Sequence, residues 1–195
     1  MTDEELLERG SRGDETAFRT LYERHRDPIF RFSWRMCGDA ETAEDITHDC
    51  FLSLISQPGR FVKSHATLRT YLLAAARNQA LKRISKRSGV IAIDDVGIEP
   101  ESEETRQPLS LLLAGELSAA VRDAIAALPE QQREALILFE YQELSLAEVG
   151  QVVGADIGAV KARLYRARDN LRRMLAPYRQ RCSISTEEQK RQVEI

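Results

Sequence analysis

Cysteine is scarce in this chain, which has three in 195 residues: Cys37, Cys50 and Cys182. Three scattered thiols are too few for a disulfide framework or for a closed zinc site. Long hydrophobic runs are also missing, and the acidic N-terminus has no apolar core of the kind that a signal peptide requires. These absences exclude the disulfide-rich and membrane-spanning classes, and they predict a cytoplasmic protein with reduced thiols and no membrane contact.

No segment alternates between apolar and polar residues as a β-strand does, and no internal repeat is present. Hydrophobic residues make up 43% of the chain and charged residues 30%, a balance that suits a helical protein with much exposed surface. Helical spacing of apolar residues occurs on both sides of one region that lacks it. We therefore predict an all-α fold of two small helical domains, residues 1–88 and 109–181, joined by a flexible acidic linker, residues 89–108, and followed by a polar tail, residues 182–195.

The predicted linker differs from the rest of the chain in charge. It contains six acidic residues and a single basic one, Arg106, and it is interrupted by Pro100 and Pro108. Such a segment can bury little apolar surface, which is why we expect it to be flexible. The formal net charge of the whole chain is −3, so a nucleic-acid contact would have to come from local basic patches.

Residues 145–173 have the pattern of a helix-turn-helix. Ser145 begins the first helix, and Glu148 three residues later completes a capping box. Gly154 has the backbone freedom that the turn requires, and Asp156 is a candidate cap for the second helix. Helical spacing predicts an apolar seam along that second helix: Ile157, Val160, Leu164, Leu171 and Leu175.

The second helix of this motif is strongly basic. Residues 159–181 contain eight basic residues and one acidic residue, Asp169. A helix-turn-helix with such a second helix is typical of a domain that places this helix in a DNA groove. The alternative is an ordinary helical hairpin whose charged face is solvated.

A second basic segment, residues 60–88, contains eight basic residues and no acidic one. Phe61, His65 and Tyr71 are interleaved with the basic residues, and Asn78 projects from the predicted helix. Basic charge can follow a phosphate backbone, while rings and polar side chains can receive unstacked bases. The pattern predicts a surface that holds a separated DNA strand; the alternative is a solvated basic helix with its aromatic residues in the core.

Five acidic residues cluster immediately before this basic segment: Asp39, Glu41, Glu44, Asp45 and Asp49. A patch of this sign would repel DNA, so we interpret it as a docking site for a basic protein surface. The alternative is a helix face that is merely solvated.

Taken in order, these motifs resemble those of the extracytoplasmic-function (ECF) sigma factors, the compact two-domain subunits of bacterial transcription initiation. The family's core-polymerase-binding helix is similar to residues 39–54, DAETAEDITHDCFLSL. Its segment that melts and reads the −10 promoter element resembles residues 61–83, FVKSHATLRTYLLAAARNQALKR. Its −35-reading domain resembles residues 128–168, in which GAVKARLYRAR matches the family's usual GTVKSRLxRAR. The resemblance extends over residues 10–175.

This resemblance implies an RNA polymerase sigma factor, which directs core polymerase to promoters and initiates transcription by −35 recognition and −10 strand opening. Four acidic residues would bind the clamp helices of the polymerase's largest subunit: Glu41, Glu44, Asp45 and Asp49. Nine residues of the first domain would hold the −10 element: Arg60, Lys63, Ser64, His65, Arg69, Arg77, Asn78, Lys82 and Arg83. Six residues of the second domain would lie at the −35 element: Ala159, Lys161, Ala162, Arg163, Tyr165 and Arg166. For Arg163, as for Arg168, a phosphate contact and an internal ion pair are both open.

The resemblance also implies the partners of the chain: core RNA polymerase, promoter DNA and an anti-sigma factor. It implies no cofactor, no metal and no catalytic residue. Some positions depart from the usual family pattern, since Ala159 and Ala162 stand where threonine and serine are common, and Phe139 stands where arginine is frequent. For this reason the promoter sequence cannot be copied from relatives.

Two other functions are compatible with parts of the sequence. A helix-turn-helix regulator that does not depend on core polymerase would bind duplex DNA tightly by itself. An enzyme or metal sensor would need His48, Asp49 and Cys50 as its reactive group, but His48 and Cys50 diverge on a helix and Cys50 lies on the apolar stripe. We therefore expect Cys50 to be a buried structural residue and the chain not to be an enzyme.

Overall fold

The computed structural model describes residues 1–62, 66–87 and 108–178, which form helices and short connections with no β-strand among them. The all-α prediction is confirmed for this part of the chain. The predicted linker, apart from Pro108, and the predicted tail lie outside the described residues. The described α-helices are α1 (Asp3–Ser11), α2 (Glu15–Cys37), α3 (Ala40–Ser56), α4 (Leu68–Arg87), α5 (Pro108–Ala126), α6 (Glu130–Leu136), α7 (Leu146–Val153) and α8 (Ile157–Met174).

Two shorter helical turns complete the described part of the chain. A 3-10 turn, Pro58–Arg60, follows α3, and a π-helical turn, Ile137–Tyr141, continues α6. After the π turn the backbone of Glu143 adopts a φ of 53°, in the left-handed region. Helix α7 begins three residues later, at Leu146.

The first block, α1 to α4, packs around α2, which contacts each of the other three helices. The apolar stripe of α2 is buried along most of the helix and includes Leu21, Ile29 and Phe32. Helix ends follow their side-chain caps, since Asp39 accepts a hydrogen bond from the Thr42 amide at 2.8 Å where α3 begins. An apolar stripe at helical spacing and side-chain caps at the helix ends therefore shape this block.

A proline lies inside α2 without ending it. Pro28 has no amide hydrogen and would weaken an isolated helix by about 3 kcal/mol. Buried residues on both sides, Leu21 and Phe32, hold the two halves of α2 against the same core. The carbonyl of Pro28 also accepts a hydrogen bond from Nε2 of Gln142 at 3.2 Å, so packing outweighs the local preference.

The second block, α5 to α8, is built around the contact between α6 and α8. Ala135 of α6 and Val160, Leu164 and Ala167 of α8 are buried. The two blocks also contact each other, through α4 with α7 and through α2 with α5 and the π turn. Their buried residues form one continuous cluster.

None of the helices in the described ranges combines the length and the apolar character needed to cross a membrane.

Candidate nucleic-acid interface

The helix-turn-helix has the caps that the sequence predicts. Ser145 Oγ accepts a hydrogen bond from the Glu148 amide at 3.3 Å, and the Glu148 carboxylate accepts one from the Ser145 amide at 2.8 Å. Ser145 Oγ also donates to the Glu148 carboxylate at 2.7 Å, and this bond, followed by the one from the Ser145 amide, holds the pKa of Glu148 below its usual value. Asp156 Oδ1 accepts a hydrogen bond from the Ala159 amide at 2.9 Å, so both helices of the motif are capped.

Two glycines bring α7 and α8 together. Gly154 adopts a φ of 66° at the turn, a conformation that other residues rarely enter. Gly150 lets α7 pack against the turn and α8, because a Cβ added there would stand 2.7 Å from the carbonyl oxygen of Ala155 and 4.0 Å from a methyl group of Val160. The sequence identifies the first glycine as a turn residue, whereas the close approach at Gly150 is visible only in the fold.

Helix α8 has one buried face and one exposed basic face. Val160, Leu164 and Ala167 face the core, while Lys161 and Arg166 are exposed. Tyr165 is 71% exposed, and tyrosine is a residue type that is enriched at contact surfaces. Three of the six predicted −35 residues, Lys161, Tyr165 and Arg166, are therefore accessible to a DNA groove.

The prediction that Ile157 belongs to the apolar seam of α8 is wrong. Its side chain is 46% exposed, and burial of the seam begins at Val160. Periodicity gives the angular position of a side chain around a helix, but not whether a neighbouring helix reaches it at that level along the axis. Ile157 instead lies at the start of the exposed face of α8.

The other predicted −35 residues lie closer to the core. Ala159 and Ala162 are half-buried. Arg163 donates to Glu134 Oε1 at 3.1 Å, so the internal pair, one of the two alternatives for this residue, is present. Arg168 donates to Glu140 Oε1 at 2.6 Å and lies 5.6 Å from the centroid of the Phe139 ring, so it too has internal partners.

The predicted −10 residues fall into three groups. Arg60, Asn78 and Lys82 are exposed. Lys63, Ser64 and His65 lie outside the described residues. The remaining three are bound by other parts of the chain: Arg69 to Gln142, Arg77 to Glu134, and Arg83 to Asp45 and Asp49.

The predicted polymerase-binding residues, Glu41, Glu44, Asp45 and Asp49, are all exposed on α3. Arg83 of α4 donates to Asp45 Oδ2 and to Asp49 Oδ2, at 3.1 Å each. This contact neutralises part of the patch and fixes the orientation of two of its carboxylates. The sequence analysis assigned Arg83 to the −10 surface and did not predict its internal partners. Residues that are 38 and 34 positions apart leave no local signal of their contact.

The metal or enzyme hypothesis finds no support at Cys50. Burial raises the pKa of its thiol to about 12, with the nearby Asp49 carboxylate as a second cause. Among the described residues, no group of three or more histidine, cysteine, aspartate or glutamate side chains is arranged to hold a metal ion. A buried structural cysteine fits these observations.

We expect the native thiol of Cys50 to resist alkylation by iodoacetamide near neutral pH, because only a thiolate reacts and its population falls about tenfold per pKa unit. A chain with Cys37 and Cys182 replaced by serine isolates this thiol, and mass spectrometry after timed quenching follows the reaction. The same chain in urea is the control and should react at the ordinary rate. Fast alkylation without denaturant would contradict the burial of Cys50.

Sequence reasoning missed two residues that organise the basic side chains. Glu134 of α6 has a side chain that is only 1% exposed, and it binds Arg77 and Arg163 together. Gln142, which follows the π turn, is 2% exposed and binds Arg69 and Pro28. The available signal in the sequence was the position of Glu134, directly beside the apolar residues Ala135 and Leu136.

Comparison with protein families gives two matches, one in each block. The family described as Sigma-70 region 2 matches residues 21–90. The family described as Sigma-70, region 4, matches residues 118–171, which contain the helix-turn-helix.

Two curated proteins illustrate the similarity along the chain. The chain is 32% identical over 171 residues to the ECF RNA polymerase sigma factor BldN of Streptomyces coelicolor; the match covers 88% of this chain and 65% of that protein. It is 31% identical over 176 residues to the ECF RNA polymerase sigma factor SigM of Mycobacterium tuberculosis, covering 89% of this chain and 85% of the relative.

The fold is also similar to a solved structure, the sigma factor RpoE in complex with the anti-sigma factor NepR from Bartonella quintana. The TM-score is 0.66 with 22% sequence identity, over 82% of this chain and 96% of the other. At this identity the likeness concerns the fold.

Proposed function

The chain belongs to the ECF RNA polymerase sigma factors, and on this premise we propose that it directs core polymerase to promoters and initiates transcription there. The observation that carries the proposal is the distribution of charge over the fold. An acidic patch lies on α3, basic residues lie on α4, and an exposed cationic face lies on α8. Each surface has the sign that its partner in a polymerase–promoter complex requires.

Helix α8 is the part that recognises the −35 element. Its N-terminal half enters the major groove, where Lys161 and Arg166 reach phosphates or guanine edges and Tyr165 covers the adjoining surface. Ala159 and Ala162 are half-buried and small, so they let the helix backbone approach the DNA closely. Arg163 stabilises the orientation of α8 through Glu134 rather than reading bases.

We expect Arg166→Ala to weaken binding of the polymerase complex to its promoter by about 1–3 kcal/mol, because a cation on the recognition face is lost. Fluorescence anisotropy of a labelled promoter fragment, titrated with core polymerase carrying the wild-type or variant chain, measures the difference. Arg19→Ala, which removes an exposed arginine of α2 on the other block, is the matched control and should change little. Equal losses for the two variants would contradict the assignment of α8 to the −35 element.

The basic helix α4 and the loop before it hold the opened −10 strand. Arg60, Asn78 and Lys82 are exposed for this role, and Lys63, Ser64 and His65 belong to the same loop region by sequence. Opening the duplex costs a few kcal/mol per unstacked base, and capture of a flipped base by these residues offsets that cost. Arg69, Arg77 and Arg83 would join this surface once released from their present partners.

The acidic patch on α3 docks on the basic clamp helices of the polymerase. Its four carboxylates repel DNA and attract a cationic protein surface, so the patch selects protein over promoter. Docking also holds both blocks near one promoter, at an effective concentration in roughly the millimolar range. The two domains, residues 1–88 and 109–181, then act on two elements of the same DNA.

The remaining features of the proposal follow from this role. The chain works where core polymerase and promoters are, in the cytoplasm, and it carries no catalytic step of its own because the polymerase supplies the chemistry. RpoE of Bartonella quintana has been crystallised with an anti-sigma factor. We propose a partner of that class for this chain as well.

Run-off transcription with purified core polymerase on genomic fragments tests the proposed function. We expect transcripts with defined start sites that appear only when the chain is added. A helix-turn-helix regulator would instead bind intact duplexes tightly without polymerase and give no such transcripts. The mapped start sites would then supply the promoter fragments for the binding experiments.

A further inference from the structure

The first turn of α8 contains no polar side chain. It consists of four residues: Ile157, Gly158, Ala159 and Val160. Gly158 and Ala159 carry nothing larger than a methyl group, and Val160 is buried in the core. Ile157 is therefore the side chain of this turn that extends away from the helix into solvent, where it is exposed.

The core of the second block does not hold Ile157. The buried side of α8 begins at Val160 and continues with Leu164 and Ala167. In the described part of the chain, Ile157 belongs neither to the buried cluster nor to the partly buried apolar residues packed against it. A single exposed apolar residue needs no explanation by itself. The location of Ile157, at the start of the second helix of a helix-turn-helix, is what makes it informative.

Ile157 lies on the same side of α8 as two of the proposed −35 residues. Lys161 and Tyr165 follow it at four-residue intervals, a spacing that places the three side chains one above another along the helix. All three are exposed. A DNA groove that contacts Lys161 and Tyr165 therefore also passes Ile157.

The backbone around Ile157 is held in place. Asp156 Oδ1 accepts a hydrogen bond from the Ala159 amide at 2.9 Å and so fixes the start of α8. A Cβ added at Gly158 would stand 3.0 Å from the same oxygen, so glycine at this position leaves the cap undisturbed. The β-branched side chain of Ile157 has one strongly preferred rotamer in a helix. Little conformational entropy is therefore lost when it packs against a partner.

An apolar side chain can distinguish few features of a base pair. In the major groove, guanine, cytosine and adenine present hydrogen-bond donors and acceptors, whereas thymine also presents the methyl group at C5. Ile157 has no side-chain group that donates or accepts a hydrogen bond. The methyl group of thymine is the feature that it can recognise, by burial of apolar surface.

We propose that Ile157 packs against the C5 methyl group of a thymine in the −35 element and thereby sets a preference for an A·T pair at that position. This inference rests on the proposed function, since it takes α8 as the helix that reads the −35 element. It adds to the proposed −35 residues one that selects a base without a hydrogen bond. Lys161 and Tyr165, on the same side of α8, contact the neighbouring DNA.

Replacing thymine with uracil tests the proposal, because uracil keeps every hydrogen-bonding group of thymine and lacks the methyl group alone. Labelled duplexes carry the −35 element of a promoter mapped by run-off transcription, with uracil at one thymine at a time on either strand. Core polymerase with the full chain is titrated into each duplex, and fluorescence anisotropy gives the dissociation constants. With the wild-type chain, we expect uracil at one position to weaken binding about fourfold, the effect of one buried methyl group.

Ile157→Ala should abolish this response to uracil. The variant is expected to bind the thymine duplex about fourfold more weakly than the wild type does, the effect of losing the same apolar contact. It should bind the thymine and uracil duplexes equally, so that the two losses are not additive. Leu117→Ala is the matched control, because it removes an exposed apolar side chain from α5 of the same block, and it should keep the wild-type response to uracil.

The possible outcomes separate this inference from the proposed function. Equal responses of the wild type and Ile157→Ala to uracil at every position would overturn the role of Ile157, as would a mapped −35 element without A·T pairs. Circular dichroism checks that the variants fold. If Ile157→Ala does not fold, Ile157→Val is the milder change, and its response to uracil should be smaller than that of the wild type. Absence of transcripts with core polymerase would instead refute the proposed function itself, and the role of Ile157 with it.

Discussion

Replacing Glu134 with alanine is expected to lower the free energy of unfolding by about 3–5 kcal/mol, the range for removing one member of a buried ionic group. The side chain of Glu134 is 1% exposed, and its carboxylate is the shared acceptor of Arg77 and Arg163. Without it, two largely buried guanidinium groups lose their countercharge. Urea unfolding followed by far-ultraviolet circular dichroism measures the change.

Glu140→Ala is the matched control for this prediction. Glu140 also pairs with an arginine of α8, Arg168 at 2.6 Å, but both side chains are more than 40% exposed. An exposed pair contributes up to about 1 kcal/mol, so this variant should unfold close to the wild-type midpoint. If both variants lost the same small amount of unfolding free energy, the central role of Glu134 in the fold would be refuted.

Reversing Asp45 and Asp49 to arginine together is expected to weaken the affinity for core polymerase about 100-fold, or roughly 3 kcal/mol. Both carboxylates are exposed on α3 and form half of the proposed docking patch. After reversal, two like charges would face the basic clamp helices, and juxtaposed like charges at an interface cost several kcal/mol. Fluorescence anisotropy of the labelled chain titrated with core polymerase gives the dissociation constants.

Two controls separate docking from effects within the chain. Asp123→Arg reverses an exposed acidic residue of α5, away from the patch, and should leave polymerase affinity nearly unchanged. Arg83→Ala removes the internal partner of Asp45 and Asp49 while keeping both carboxylates, so it should retain binding. A comparable loss of polymerase affinity in Arg83→Ala would mean that the orientation of the two carboxylates, rather than their charge, governs binding.

Much of the local structure could be predicted from the sequence because its causes are local. Asp39 and Asp156 cap the helices that follow them, and Ser145 with Glu148 forms the predicted capping box. Gly38 and Gly154 end helices with left-handed backbones, as their positions indicate. Each of these features depends on residues within one turn of a helix, where sequence and conformation are directly linked.

Burial along a predicted helix was less predictable. The spacing of apolar residues correctly places Val160 and Leu164 in the core, but it wrongly includes Ile157. Burial needs a second helix at the right height, and spacing within one helix does not contain that information. Pro28 illustrates the same limit in reverse, since packing maintains α2 through a residue that by itself favours a break.

The sequence by itself determined the all-α class, the helix boundaries set by caps and glycines, and the segregation of acidic from basic surface, because these depend on neighbouring residues. Only the tertiary structure decided which charged side chains are exposed to a partner and which are paired within the chain. Arg77 and Glu134 are 57 positions apart, and Arg69 and Gln142 are 73 apart, so nothing local pairs them. A charged side chain takes whichever partner the packed helices bring within a few ångströms, and that choice depends on the arrangement of the whole chain.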